Sequence, residues 1–231
     1  MENREKSIFL LSDINLDFLK RNIELTESNE IHSVSCSEYN GYKKIFLSNA
    51  AHEYFDNSDY LFIWQSPEAV SEAFIHLKNF KPFDEALFYK DLNNYIDRIK
   101  ELSERFKVLL LPLLTSFDEL SDLGIGNMNT KVGYSNFIHK ANSIIIDELS
   151  VLKNVYLIDS ATWFKQCQQP FDFKLWLRAK IPFSIQMMKL ISNSIISSIR
   201  TINGIQKKLL ILDLDNTLWG GIVGDDGWEN I

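Results

Sequence analysis

Two aspartates near the end of the chain carry the strongest chemical signal. In LLILDLDNTLWGG, Asp213 and Asp215 follow an apolar run and stand two residues apart, with Thr217, Gly220 and Gly221 behind them. Residues i and i+2 of an extended segment point the same way, so both carboxyl groups face one side of a strand end. Two close carboxylates repel, so one holds a proton unless a cation sits between them. An oxygen-seeking cation such as Mg2+ suits the pair, with backbone carbonyls and water completing its shell. One carboxylate beside the metal can attack phosphorus to give an aspartyl phosphate, while a neutral neighbour protonates the leaving oxygen. The plainer reading is an Asp/Asn turn closing a buried strand.

A second set of candidates lies at the ends of earlier apolar runs. Ser12, Ser66 and Ser116 each follow one, Asp13 and Asp17 are nearby acids, and Trp64 stands beside Gln65 and Ser66. Ser12, Asp13, Trp64, Ser66 and Ser116 are the expected lining of an N-terminal cleft, with core packing as the plainer role of Trp64. His32, His52, His76 and His139 show no paired spacing, and the last two fall in helical patterns. Cys36 and Cys167 form no metal-type spacing either, and buried inert thiols are the norm.

These residues need elements to position them. SIFLL (7–11), IHSVSC (31–36), DYLFIW (59–64), KVLLLPLL (107–114) and VYLID (155–159) read as strands. Helical spacing appears over 15–25, from Phe83 to Phe106, over 135–152 and over 183–202, where Met188, Ile191, Ile195, Ile199 and Ile202 align. Gly204 suits a helix C-terminal cap. Alternating strands and helices predict a parallel sheet covered on both faces: an α/β fold, built as a three-layer α/β/α sandwich with five strands. KKLLIL (207–212) reads as one further strand, and the glycine-containing stretch 115–134 as a long loop at the carboxyl ends of the strands.

The net charge of −7, from 31 acidic against 24 basic residues, argues against nucleic acid and anionic membranes as partners. No apolar run approaches the ~20 residues that cross a bilayer. With only two cysteines, a reducing, cytoplasmic setting is expected.

ILDLDNTLWGG resembles the first motif of the haloacid-dehalogenase (HAD) superfamily, Asp-x-Asp-x-Thr after a hydrophobic strand. Its continuation NTLWGGIVGDDGWENI is similar to the FkbH-like proteins (HAD subfamily IIIC), and so is FDFKLWLRAKIPFS (171–184) just before it. The resemblance implies two domains: an N-terminal α/β domain over 1–204 and the start of a HAD phosphatase-like, Rossmann-like domain over 205–231. It makes Asp213 the nucleophile and a Mg2+ ligand. Asp215 becomes the general acid/base, with its main-chain carbonyl on the metal. Thr217 shapes the loop, and Gly220 and Gly221 let the chain turn into the following flap. It implies Mg2+-dependent phosphatase or glyceryl-transferase chemistry in polyketide or polysaccharide biosynthesis, with a phosphorylated small molecule and an acyl carrier protein as partners. The chemistry also needs a phosphate-binding Ser/Thr, a Lys and further acids, which the 14 residues after Thr217 cannot hold. The chain is therefore expected to be part of a longer protein, inactive alone and able to self-associate through strand 207–212.

The five-stranded sandwich also resembles the SGNH hydrolases, and the order of elements is flavodoxin-like. Ser12-Asp13-Ile14 stands where Gly-Asp-Ser would, so Ile14 replaces the nucleophile. Asp172-Phe173-Lys174-Leu175 stands for Asp-x-x-His, so Leu175 replaces the base. Trp64-Gln65-Ser66-Pro67-Glu68 matches the oxyanion block poorly. Without nucleophile and base the triad mechanism fails. The alternatives to the phosphatase reading are a non-catalytic module that binds a carrier protein or sugar, and an SGNH-type esterase with a rearranged site.

Overall fold

The structure, a computed structural model, describes residues 6–26, 31–39, 41–47, 55, 58–79, 81–117, 124–129 and 133–205. The expected strand 207–212 and Asp213, Asp215, Thr217, Gly220 and Gly221 lie outside the described residues, as does His52. Contacts divide the chain into Met1–Ser197 and Ser198–Ile231.

Five parallel strands form one sheet: β1 (Ser7–Ser12), β2 (Ser33–Cys36), β3 (Tyr60–Trp64), β4 (Val108–Pro112) and β5 (Val155–Ile158), in the order β2-β1-β3-β4-β5. That is the doubly wound order in which ligands meet the carboxyl ends of the strands. Helices flank it: α1 (Asp17–Leu25), α2 (Tyr42–Leu47), α3 (Pro67–Val70), α4 (Glu72–Lys78), α5 (Glu85–Ser103), α6 (Gly126–Asn129), α7 (Tyr134–Leu149), α8 (Ala161–Gln166), α9 (Phe173–Ala179) and α10 (Ile185–Ile202).

The central strands are buried throughout because their side chains serve two cores. Phe9, Leu11, Leu61, Ile63, Leu109 and Leu111 face one way and pack with residues of α2, α4, α5 and α7. Their alternates point to the other face. There Trp64 stacks on Phe183 at 4.6 Å and meets Trp163 of α8 edge-on at 5.7 Å. Register places Ser12 of β1 beside Trp64 of β3, so the residues after these two strands emerge side by side.

All five strands and the four longest helices fall where the apolar spacing placed them, with ends trimmed by a few residues. Among the described residues six shorter helices lack the length for a periodic signal. Three of them have local start signals instead, Asp172 before α9 being one. Ser66 caps α3, accepting from the Ala69 N–H at 3.2 Å with Pro67 next in line, and Ser71 caps α4 through the Ala73 N–H. The described part of 115–134 contains α6, so that stretch is not loop alone. At the end of α10, Gly204 takes φ +71° and the Ile205 N–H reaches back to Arg200 O at 2.9 Å, a glycine cap.

Candidate functional site

The loops after β1 and β3 meet through two side chains. Asp13 follows β1 and Ser66 follows β3. The Ser66 hydroxyl donates to Asp13 Oδ2 at 2.6 Å, and its backbone N–H donates to Oδ1 at 3.0 Å. Burial pushes the Asp13 carboxyl above its ordinary range. The Ser66 bonds oppose that shift, while the charge of Glu68 adds to it. On α3, Glu68 accepts from Lys78 Nζ at 3.1 Å and from the Tyr134 hydroxyl at 2.8 Å, both through Oε1.

All of these groups but Tyr134 line a cavity of about 500 Å3, as its polar floor. Asp13, Ser66, Glu68, Lys78 and Gln169 supply its polar lining; its walls are apolar, from Ile14, Phe117, Phe171, Phe173, Trp176 and Pro182. A largely apolar cleft with a few convergent polar groups is the usual form of a small-molecule site.

The outer wall is a separate excursion of the chain. Phe171 and Phe183 pair as an antiparallel bridge, reinforced by Asp172 N–H to Pro182 O and Ser184 N–H to Pro170 O, each 2.8 Å. Between these ends Asp172 caps α9, accepting from the Lys174 and Leu175 N–H groups at 2.9 and 3.0 Å. Lys180 ends the helix in the left-handed region at φ 58°. Its carbonyl accepts from the Asn15 N–H at 3.2 Å, which fastens the excursion to the loop after β1. No residue of α9 is buried; Phe173 and Leu177 are 69% and 60% exposed.

Of the five N-terminal residues singled out from sequence, Asp13 and Ser66 come together on the cavity floor. Ser12 and Trp64 are fully buried. Ser12 Oγ accepts from the Ile14 N–H at 3.3 Å, and Trp64 sits in the aromatic stack. Ser116 is not among the lining residues. From sequence, Glu68 stands only as the end of a poorly matching oxyanion block, and Lys78 and Tyr134 are not singled out; their signals are local, Glu68 following the Ser-Pro start of α3 and Tyr134 a glycine. His76 Nδ1 lies 3.0 Å from Pro82 O, away from the cleft lining.

The Ser66 hydroxyl is engaged twice, as donor to Asp13 and as acceptor from Ala69. No histidine lines the cavity among the described residues. Nor do the described residues contain a group of three or more His, Cys, Asp or Glu able to hold a metal. No described helix is long and apolar enough to cross a membrane. Both cysteines are free; burial pushes the Cys36 thiol up to about 11, and Cys167 is buried.

The family model described as FkbH, N-terminal domain, matches residues 7–200. No curated protein matches the chain. Among solved structures, the N-terminal part of protein BF1531 from Bacteroides fragilis, containing a phosphatase domain and complexed with Mg, is similar with a TM-score of 0.75 at 24% identity. The match covers 98% of this chain and 60% of that one, so this chain spans well under two thirds of its length. A GDSL-like lipase (BT0569) from Bacteroides thetaiotaomicron VPI-5482 matches with a TM-score of 0.46 at 8% identity, over 87% of this chain and 91% of that one. Axe2, an acetylxylan esterase from Geobacillus stearothermophilus, matches at 0.46 and 10%, over 85% and 94%.

Proposed function

Because the chain belongs to the FkbH family through its N-terminal domain, we propose that it is the N-terminal part of a Mg2+-dependent phosphatase or phosphoacyl (glyceryl) transferase. The observation that carries this reading is adjacency. The family match ends at residue 200, and Asp213-Leu214-Asp215-Asn216-Thr217 begins 13 positions later. The similar BF1531 chain, which contains a phosphatase domain and is complexed with Mg, supports the reading.

In this reading residues 1–204 are an accessory domain and 205–231 open the catalytic one. Asp213 and Asp215 offer hard oxygen donors of the kind Mg2+ takes, and the metal supplies charge neutralisation for a phosphoryl group. Asp213 is the nucleophile that receives the phosphoryl group, breaking its bond to the leaving oxygen. Asp215 gives that oxygen a proton and then takes one from the water that releases phosphate. Thr217, Gly220 and Gly221 shape the loop around them. The substrate is a phosphorylated small molecule, with an acyl carrier protein as the partner in biosynthesis, in the cytoplasm. Self-association through residues 207–212 is a further part of the proposal.

The test uses the product of the complete reading frame and a phosphate ester. Hydrolysis should require Mg2+ and disappear in Asp213→Asn, and a labelled phosphoryl group should be trapped on Asp213. Label on another residue, or full activity in Asp213→Asn, sinks the reading.

A second reading concerns the N-terminal domain alone. The cleft has a built polar floor and apolar walls, yet Ser66 is engaged as donor and as acceptor, and no histidine among the described residues lines it. This favours a binding module over an SGNH-type esterase. Nitrophenyl-acetate hydrolysis abolished by Ser66→Ala would reverse that preference.

A further inference from the structure

Among its described lining residues the cleft has one more acid than base: Asp13 and Glu68 against Lys78. Both oxygens of Asp13 are engaged by neutral donors, the N–H and the hydroxyl of Ser66. Among the described residues no lysine, arginine or histidine forms an ion pair with Asp13. Glu68, the other acid of the floor, already has Lys78 at 3.1 Å. Among the described residues, an ionised Asp13 therefore leaves one negative charge over in a cavity of about 500 Å3. Tyr42 and Tyr95, whose hydroxyls also feel the charge of Asp13, are neutral; burial above all holds both above the ordinary tyrosine range.

The walls add a second preference. Phe171, Phe173 and Trp176 present aromatic surface to the same cavity, and aromatic faces attract cations, most of all when water is excluded. The Trp176 ring already holds one, Lys180 Nζ at 5.1 Å. An anion entering this space meets two carboxyl groups, Asp13 and Glu68, against the one ammonium of Lys78, which Glu68 already engages.

Resting on the reading of this domain as a binding module, we propose that the cleft receives a small organic cation: a protonated primary amine carried on an apolar body. The ammonium group pairs with Asp13, and the body lies against Phe171, Phe173 and Trp176. A hydroxylated neutral molecule can also donate to Asp13, but it leaves the charge uncompensated and binds less well. Phosphorylated molecules are turned away, which separates this cleft from the phosphoryl chemistry assigned to Asp213.

Three probes of nearly one shape test this on the 231-residue chain: phenethylamine, 2-phenylethanol and phenylacetate, titrated by calorimetry and by the indole NMR signals. The amine should bind at least tenfold more tightly than the alcohol, and phenylacetate should give no saturable signal. Asp13→Asn, which keeps an oxygen for the Ser66 N–H, should weaken the amine at least tenfold and narrow its lead over the alcohol. Trp176→Ala, at an exposed rim, should weaken it with the fold intact, and it decides the matter if Asp13→Asn does not fold. Equal binding of all three probes overturns the cation proposal and leaves the binding-module reading standing. Binding by none overturns both, and tighter binding of phenylacetate overturns the charge argument outright.

Discussion

Asp13 grips Ser66 with both carboxylate oxygens, one on the hydroxyl at 2.6 Å and one on the backbone N–H at 3.0 Å. The contact joins residues 53 positions apart and fixes the end of β1 to the start of α3. It is at once a structural tie and the floor of the cleft.

Removing that tie should be costly. Asp13→Ala strands a hydroxyl and an N–H in a partly buried place, and the loss should be about 1–3 kcal/mol. Urea unfolding followed by circular dichroism measures it. Asp13→Asn keeps an acceptor and should lose less. Equal stability of Asp13→Ala and the parent would deny the contact its structural role.

The same carboxyl group sets a pH dependence. Burial raises its folded pKa above the ordinary 3.8, so the native state binds the proton more readily than the unfolded chain. Stability from this group is fullest below 3.8 and falls as pH rises through the folded value. Asp13→Asn has no such proton to lose. Its stability relative to the parent should therefore improve from about pH 4 to about pH 7. A relative stability that stays flat or declines contradicts the raised value.

Trp64 tests the second core. It is fully buried, stacked on Phe183 and edge-on to Trp163. Trp64→Ala should cost about 3–5 kcal/mol, the usual range for an excavated aromatic. Thermal unfolding reports it, and a loss under about 1 kcal/mol would mean that the stack does not hold this face of the sheet.

Gly133 tests a close approach before α7. A Cβ there would lie 2.0 Å from the carbonyl oxygen of Asn127. That oxygen belongs to backbone held in place, since Asn127 Oδ1 accepts from the Ser135 N–H at 2.9 Å. Gly133→Ala should destabilise by about 1–3 kcal/mol, as overpacking does. Unchanged unfolding in denaturant would show that the loop yields.

The thiols should be quiet. With Cys36 pushed up to about 11 and Cys167 buried, neither should react appreciably with Ellman's reagent at neutral pH. Both should react at once in guanidinium. Rapid labelling of the native chain counts against the burial of these side chains.

The sheet was legible because burial on both faces demands unbroken apolar runs such as SIFLL and YLFIW, and such runs are conspicuous. The long helices were legible through one-sided spacing, as in Phe88, Leu92, Tyr95, Ile96 and Ile99, all buried. Asp13 and Ser66 could be picked out because residues just past parallel strands face the ligand side of such a sheet. The other half of the floor could not. Glu68 and Lys78 meet across two short helices, and Tyr134 reaches Glu68 from 66 residues away. Such meetings follow from packing, which no local spacing records. Trp64 shows the converse: its place beside polar residues suggested a binding role, but strand alternation sends its ring into the aromatic stack.

The excursion from Phe171 to Phe183 is knotted to itself at its base, while the helix it carries hides none of its side chains. Such a segment behaves as an interchangeable cassette. Mutational drift, or a designer's library, can rewrite Phe173, Trp176 and Leu177 and so change what the mouth of the cleft admits, while the strands beneath fold as before.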